Sequence, residues 1–169
     1  MPSTHIKIAT TTVGSGGTNE IDFTSIPSTY TDLVIMFSVR GTLNIGSGVT
    51  YMYFNNDTND SNYSYRRMIG SGTSASSASG AAAAIDVVQG DNATANAFGN
   101  DYVYIFNYTS NLGKSAVVNF AGITNASLSY MGYMSYGWSG TSTISSIKLT
   151  SNGSFKQFSS ATLYGIKKD

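Results

Sequence analysis

The chain has 169 residues, of which 41% are hydrophobic, 12% aromatic and only 11% charged, with a formal net charge of zero and no cysteine. One domain of that length can bury a real core, and the aromatic content with no net charge excludes a disordered chain. So few charges, with no surplus of Lys and Arg, exclude a phosphate-tracking groove, and the absence of cysteine excludes disulfide bracing and thiolate chemistry.

Residues 5–13 alternate loosely, with Ile6 and Ile8 on one face, and predict a first strand. Gly14, Gly16 and Gly17 punctuate a turn, and a short strand over 20–23 follows. Residues 31–40 predict a central or interface strand, because Leu33, Ile35, Phe37 and Val39 point one way while Val34 and Met36 make the other face apolar too. Residues 49–55 predict another strand, 55–62 a polar loop, and 63–69 a strand carrying Arg66 and Arg67. The Ser/Gly/Ala-rich stretch 70–84 reads as a flexible loop; at its end, 81–88 is read as a buried strand despite its four alanines. A long loop over 89–100 is expected to be anchored by Phe98.

The cleanest alternation lies over 101–109, with Tyr102, Tyr104, Phe106 and Tyr108 opposite Val103, Ile105 and Asn107. With 115–122 it forms an expected hairpin. Residues 129–138 put Tyr130, Gly132, Met134, Tyr136 and Trp138 on one face and Met131, Tyr133, Ser135 and Gly137 on the other. A strand over 143–150, a turn over 151–154 and a closing strand over 159–168 complete the chain. In the closing strand Ala161, Leu163 and Gly165 share a face.

About ten short strands at this spacing, with no helical period and no αβ alternation, predict an all-β fold. The expected architecture is an antiparallel two-sheet β-sandwich of jelly-roll type, a single domain over 1–169, with residues 1–8 as an arm that a partner could order. The start of the chain has no basic stretch followed by an apolar run, so no signal peptide is expected. No run approaches the ~20 apolar residues of a membrane span, so no membrane is expected as a partner.

Chemistry has little to stand on. His5 is the single histidine, near the terminus, and one side chain cannot make a triad or a zinc site. Asp57, Asn59 and Ser61 alternate as oxygen ligands for calcium would, but Asx turns explain the same residues. Glu20, Asp22, Asp86, Asp91 and Asp101 show no spacing that pairs two carboxylates across a cleft. No catalytic residue, cofactor or metal is therefore expected. The bulky faces of 129–138 admit three readings: a subunit interface, a sugar platform, or sandwich core. The interface candidates are Ile6, Ile8, Tyr130, Met131, Tyr133, Met134, Tyr136 and Trp138.

Three stretches carry a resemblance. They are Ile21-Asp22-Phe23-Thr24-Ser25-Ile26-Pro27-Ser28-Thr29-Tyr30-Thr31-Asp32-Leu33, then 93–99 with Tyr102-Val103-Tyr104-Ile105-Phe106-Asn107-Tyr108-Thr109, and Ser154-Phe155-Lys156-Gln157-Phe158-Ser159-Ser160-Ala161-Thr162-Leu163-Tyr164-Gly165-Ile166. Together they resemble small virion structural proteins of tailed phages, especially phages of cyanobacteria and other marine bacteria. The resemblance implies a β-sandwich on the virion surface, made in a bacterial host cytoplasm, homo-oligomeric and without catalytic residues. On it rest the expectations of a trimeric capsid decoration (cement) protein bound to the major capsid protein or other virion proteins, with 1–8 touching the coat and 130–138 the trimer. Residues 33–39 and 102–108 are expected in the core. The alternative is a tail-fibre or receptor-binding module for host glycan through Tyr and Trp; a polysaccharide hydrolase is a third, lesser reading. Nucleic acid is not an expected partner.

Overall fold

The computed structural model describes residues 4–45, 47–86, 89–125 and 128–167. Twelve strands lie among them: β1 His5–Thr12, β2 Thr18–Phe23, β3 Asp32–Val39, β4 Thr50–Phe54, β5 Tyr63–Ser71, β6 Ser74–Gly80, β7 Ala84–Asp86, β8 Gly99–Phe106, β9 Lys114–Asn125, β10 Leu128–Trp138, β11 Ile147–Phe155 and β12 Ser160–Ile166. Among the described residues there is no α-helix, and no helix long and apolar enough to cross a membrane. The chain is all-β, an antiparallel sandwich of two sheets. The larger has eight strands in the order β1-β12-β3-β8-β9-β10-β5-β6, the smaller four in the order β2-β11-β4-β7.

The pairing is nested. First pairs with last (β1 with β12), then β2 with β11, β3 with β8 and β4 with β7. Two hairpins, β5–β6 and β9–β10, extend the large sheet. The core sits where period-two alternation sends side chains inward. Leu33, Ile35, Phe37 and Val39 meet Val103, Ile105, Val118, Ala161 and Leu163 from the large sheet and Ile21, Phe23, Met52, Phe54, Ile147 and Leu149 from the small one. Val34, on the opposite face, is also buried, flanked in register by Tyr164 and Tyr104. That accounts for a strand apolar on both sides.

Four local expectations are corrected. The stretch 70–84 is not a flexible loop: Ser71 and Ser74 close a two-residue turn at Gly72, whose φ of 57° suits glycine, and Ser74–Gly80 then pairs residue by residue with β5. The strand expected over 143–150 begins later, at Ile147, and the expected turn over 151–154 is a register irregularity within β11. Of 102–108, only Val103, Ile105 and Tyr108 enter the core; Tyr102, Tyr104 and Phe106 face outward. Met1–Ser3 of the expected arm, Val87 and Val88 of the strand expected over 81–88, and Lys168 of the closing strand lie outside the described residues.

All seven residues of β6 are exposed, and Ser, Ala and Gly are weak strand formers. This edge is held by its ladder to β5 alone. Its amides should exchange with solvent at least a hundredfold faster than those of β3 in the free subunit. Native-state hydrogen exchange reads this directly, and equal protection of the two strands would refute it.

Candidate functional site

The outer face of the large sheet is the most extensive candidate surface. One row of outward side chains crosses all eight strands in register: Thr10, Thr162, Met36, Tyr102, Asn119, Tyr133, Met68 and Ser77. Met36 is 42% exposed, Tyr133 55%, Met131 62% and Met68 66%. A shallow depression of about 650 Å³ lies among them, lined by Met36, Tyr102, Asn119, Ala121, Met131 and Tyr133. Among the outward residues of β12, β3, β8, β9 and β10 the one charged side chain is Asp32, and it is buried. Its carboxylate accepts the Tyr104 hydroxyl at 2.7 Å and the Asn107 amide at 2.7 Å. Burial, then the hydrogen bond to Asp32, pushes the Tyr104 hydroxyl up to about 12, so it stays a neutral donor at any ordinary pH. Eight strands at ~4.8 Å spacing give a face about 34 Å wide, on the order of 800 Å² in all, the size of one side of a standard interface.

The structure divides the eight interface candidates. Met131 and Tyr133 are exposed on this face, and Ile6 and Ile8 are half-buried on β1. Tyr130, Met134, Tyr136 and Trp138 are buried inside the subunit and cannot meet a partner, which corrects the reading that offered them. The cause is the alternation of β10, which turns these four toward the small sheet. Phe54 of β4, Tyr63 of β5 and Tyr136 and Trp138 of β10 form one aromatic cluster: Trp138 stacks on Tyr63 at 6.4 Å and meets Phe54 edge-on at 5.6 Å. Gly132, on the inner face of β10, is there because a Cβ would lie 2.2 Å from the Phe120 ring.

The side-chain oxygens of Asp57 and Asn59 in the 55–62 loop are already engaged. Asp57 accepts the Asn59 amide at 3.1 Å, the Asn62 side chain at 2.8 Å and the Trp138 indole N–H at 2.8 Å, while Asn59 accepts the Ser61 amide at 3.1 Å. These are Asx turns tied to the core by Trp138, and among the described residues no cluster of three His, Asp or Glu could hold a metal. Of the acids, Glu20 takes Lys148 at 3.0 Å, Asp91 takes Lys156, and Asp101 is buried. His5 lies exposed, edge-on to Tyr164.

A second surface was not foreseen from the sequence. Beside the β11–β12 turn runs a groove of about 830 Å³, lined among others by Gly16, Asp91, Asn96, Phe98, Lys156 and Phe158. Arg40 fixes its floor: the buried guanidinium donates to the carbonyls of Asp91, Ala93, Thr94 and Ala97 at 2.8–3.2 Å and so pins the 91–97 loop. Phe98, expected to anchor this loop to the core, is half-buried on the groove wall and is not among the residues packed against the core; Arg40 holds the loop instead. Asp91, hydrogen-bonded first by Lys156, is held below the usual carboxylate range. On the rim, the Ser159 amide donates to the Lys156 carbonyl at 3.1 Å and closes a turn whose third residue is Phe158, at φ 72° and 68% exposed. Turns with positive φ at that position favour Gly or Asn.

Comparison of the chain with family models, with curated proteins and with solved structures finds no match.

Proposed function

We propose that the protein is a non-enzymatic structural subunit of a tailed-phage virion, a capsid decoration protein that stabilises the head shell. The observation that carries the reading is the wide Met/Tyr face of the large sheet, which among the described residues exposes no charge across β12, β3, β8, β9 and β10 and carries Lys7 and Arg66 only on β1 and β5 toward its two ends. A surface of that composition docks by shape, apolar burial and hydrogen bonding rather than by charge steering. A subunit that binds the assembled shell and not free coat protein stabilises the shell by mass action. The nested strand order supports the jelly-roll reading, with β1-β12-β3-β8 and β2-β11-β4-β7 as its two sheets and the two hairpins as insertions. In a trimer, the edge strands β1 and β6 are the lateral contacts, and β1 carries Ile6 and Ile8. The virion surface is then the location, and the major capsid protein the principal partner.

The test is stoichiometry. Quantitative mass spectrometry of purified particles should find this chain at a large fraction of the coat copy number, and recombinant protein should rebind particles stripped of it. A few copies per particle would overturn decoration and favour the second reading, a tail-fibre or receptor-binding module taking host glycan, for which the groove beside Phe158 is the supporting observation.

A further inference from the structure

The geometry points to the groove between the 91–97 loop and the β11–β12 turn as a binding site for a neutral saccharide, with Phe158 as its stacking platform. Two features of Phe158 have no explanation within the fold. Its backbone lies in the left-handed region, where a bulky side chain is strained, and its ring is 68% exposed, so packing does not compensate for that strain. Glycine or asparagine would serve the turn better, and residues that break a local rule without gain to the fold mark functional positions.

The surroundings specify the ligand. A sugar ring presents a face of C–H bonds with slight positive charge, which suits the negative face of an aromatic ring. Its hydroxyls need planar polar groups held at fixed angles. Here the groove offers the Asn96 amide, itself on a left-handed residue at φ 60°, the Asp91 carboxylate paired with Lys156, and the Gln157 side chain. The Arg40 clamp holds the 91–97 loop in place before any ligand arrives, which lowers the ordering cost of binding. The volume, about 830 Å³, falls in the range of small-ligand sites, whereas a protein partner of standard size needs a broad face such as the outer sheet. Of the charged lining groups, Lys156 is paired with Asp91 and the buried Arg40 guanidinium is engaged with four backbone carbonyls, so among the described residues no free cation faces the groove to take an anionic glycan. The site stands whether the subunit sits on head or tail.

The experiment uses the full chain against an array of neutral oligosaccharides built from hexoses, deoxyhexoses and N-acetylhexosamines, followed by 15N chemical-shift titration of the hits. At least one should bind, with shifts confined to the amides of Gly16, Gly17, Asn96, Phe98, Lys156 and Phe158. Phe158→Asn should weaken binding at least tenfold while leaving the melting temperature equal or higher, an outcome a merely structural Phe158 would not give. Asn96→Gly, which keeps the backbone conformation, should weaken binding without unfolding. No binding at millimolar sugar, shifts elsewhere, undiminished binding by Phe158→Asn, or coat protein competing for the groove would each overturn the proposal. Loss of rebinding to particles by outer-sheet variants is a separate result, so the two proposals fail independently.

Discussion

Trp138→Ala should cost the fold about 3–5 kcal/mol, roughly a fifth or more of the ~5–15 kcal/mol stability of an ordinary domain. The ring is 5% exposed. It stacks on Tyr63, meets Phe54 edge-on, lies beneath the Lys114 ammonium at 5.9 Å, and is closed over by Gly140, where a Cβ would stand 2.1 Å from it. Phe54 belongs to the small sheet and Trp138 to the large one, so truncation opens a cavity between the sheets and leaves the aromatic cluster one member short. The indole N–H also holds Asp57 at 2.8 Å. That bond is the first cause of the lowered pKa of Asp57, ahead of its bonds to Asn62 and Asn59. A carboxyl with a depressed folded pKa contributes stability above its unfolded value near 3.8, and the contribution is lost as pH falls through the folded value. Trp138→Phe keeps most of the ring and removes the bond, so its stability should fall less steeply with acid below about pH 4 than that of the parent. Urea denaturation at pH 7 and across pH 2–5 measures both effects. A loss under 1 kcal/mol for the alanine variant would mean that the cluster does not tie the sheets together.

The same tryptophan shows what the sequence could and could not say. Alternation over 129–138 separated its two faces correctly: Tyr130, Met134, Tyr136 and Trp138 share one, Met131 and Tyr133 the other. Bulk on both faces left open which turns inward, because the deciding partners lie far away in sequence: Tyr63 reaches β10 from the neighbouring strand β5, and Phe54 reaches it across the sandwich from the small sheet. The β3 and β12 patterns were legible because every second residue is apolar or small and turns inward, Leu33, Ile35, Phe37 and Val39 on one and Ala161, Leu163 and Gly165 on the other. β6 was not legible from composition, since Ser and Ala favour neither strand nor core. A signal was present in Gly72-Thr73, a two-residue turn with glycine first, which fixes the β5–β6 register. Asn152-Gly153 misled in the opposite sense, looking like a hairpin turn where β11 only bulges. The groove at Phe158 could not be read at all, because its mark is a backbone angle at a residue that composition presents as core.

Met36→Lys combined with Tyr133→Lys should abolish docking on the particle, by a hundredfold or more in affinity, while the melting temperature of the free subunit moves little. The two positions lie in the same row, separated by Tyr102 and Asn119, so three strand spacings place the new charges about 14 Å apart. Both side chains are largely exposed in the free subunit, where a lysine keeps its hydration and a surface exchange stays within about 0.5 kcal/mol. Docking would strip that water from two unpaired ammonium groups on a face whose outward residues on β12, β3, β8, β9 and β10 include no exposed carboxylate. Several kcal/mol of desolvation then oppose binding, and each 1.4 kcal/mol is a factor of ten. Leu112→Lys is the control: that side chain is 67% exposed and apolar, but lies on the loop after β8 and not on the sheet face. Co-sedimentation with stripped particles should show the control bound as the parent is and the double variant free. Equal rebinding of all three would place the contact elsewhere on the subunit and remove the outer face from the docking surface.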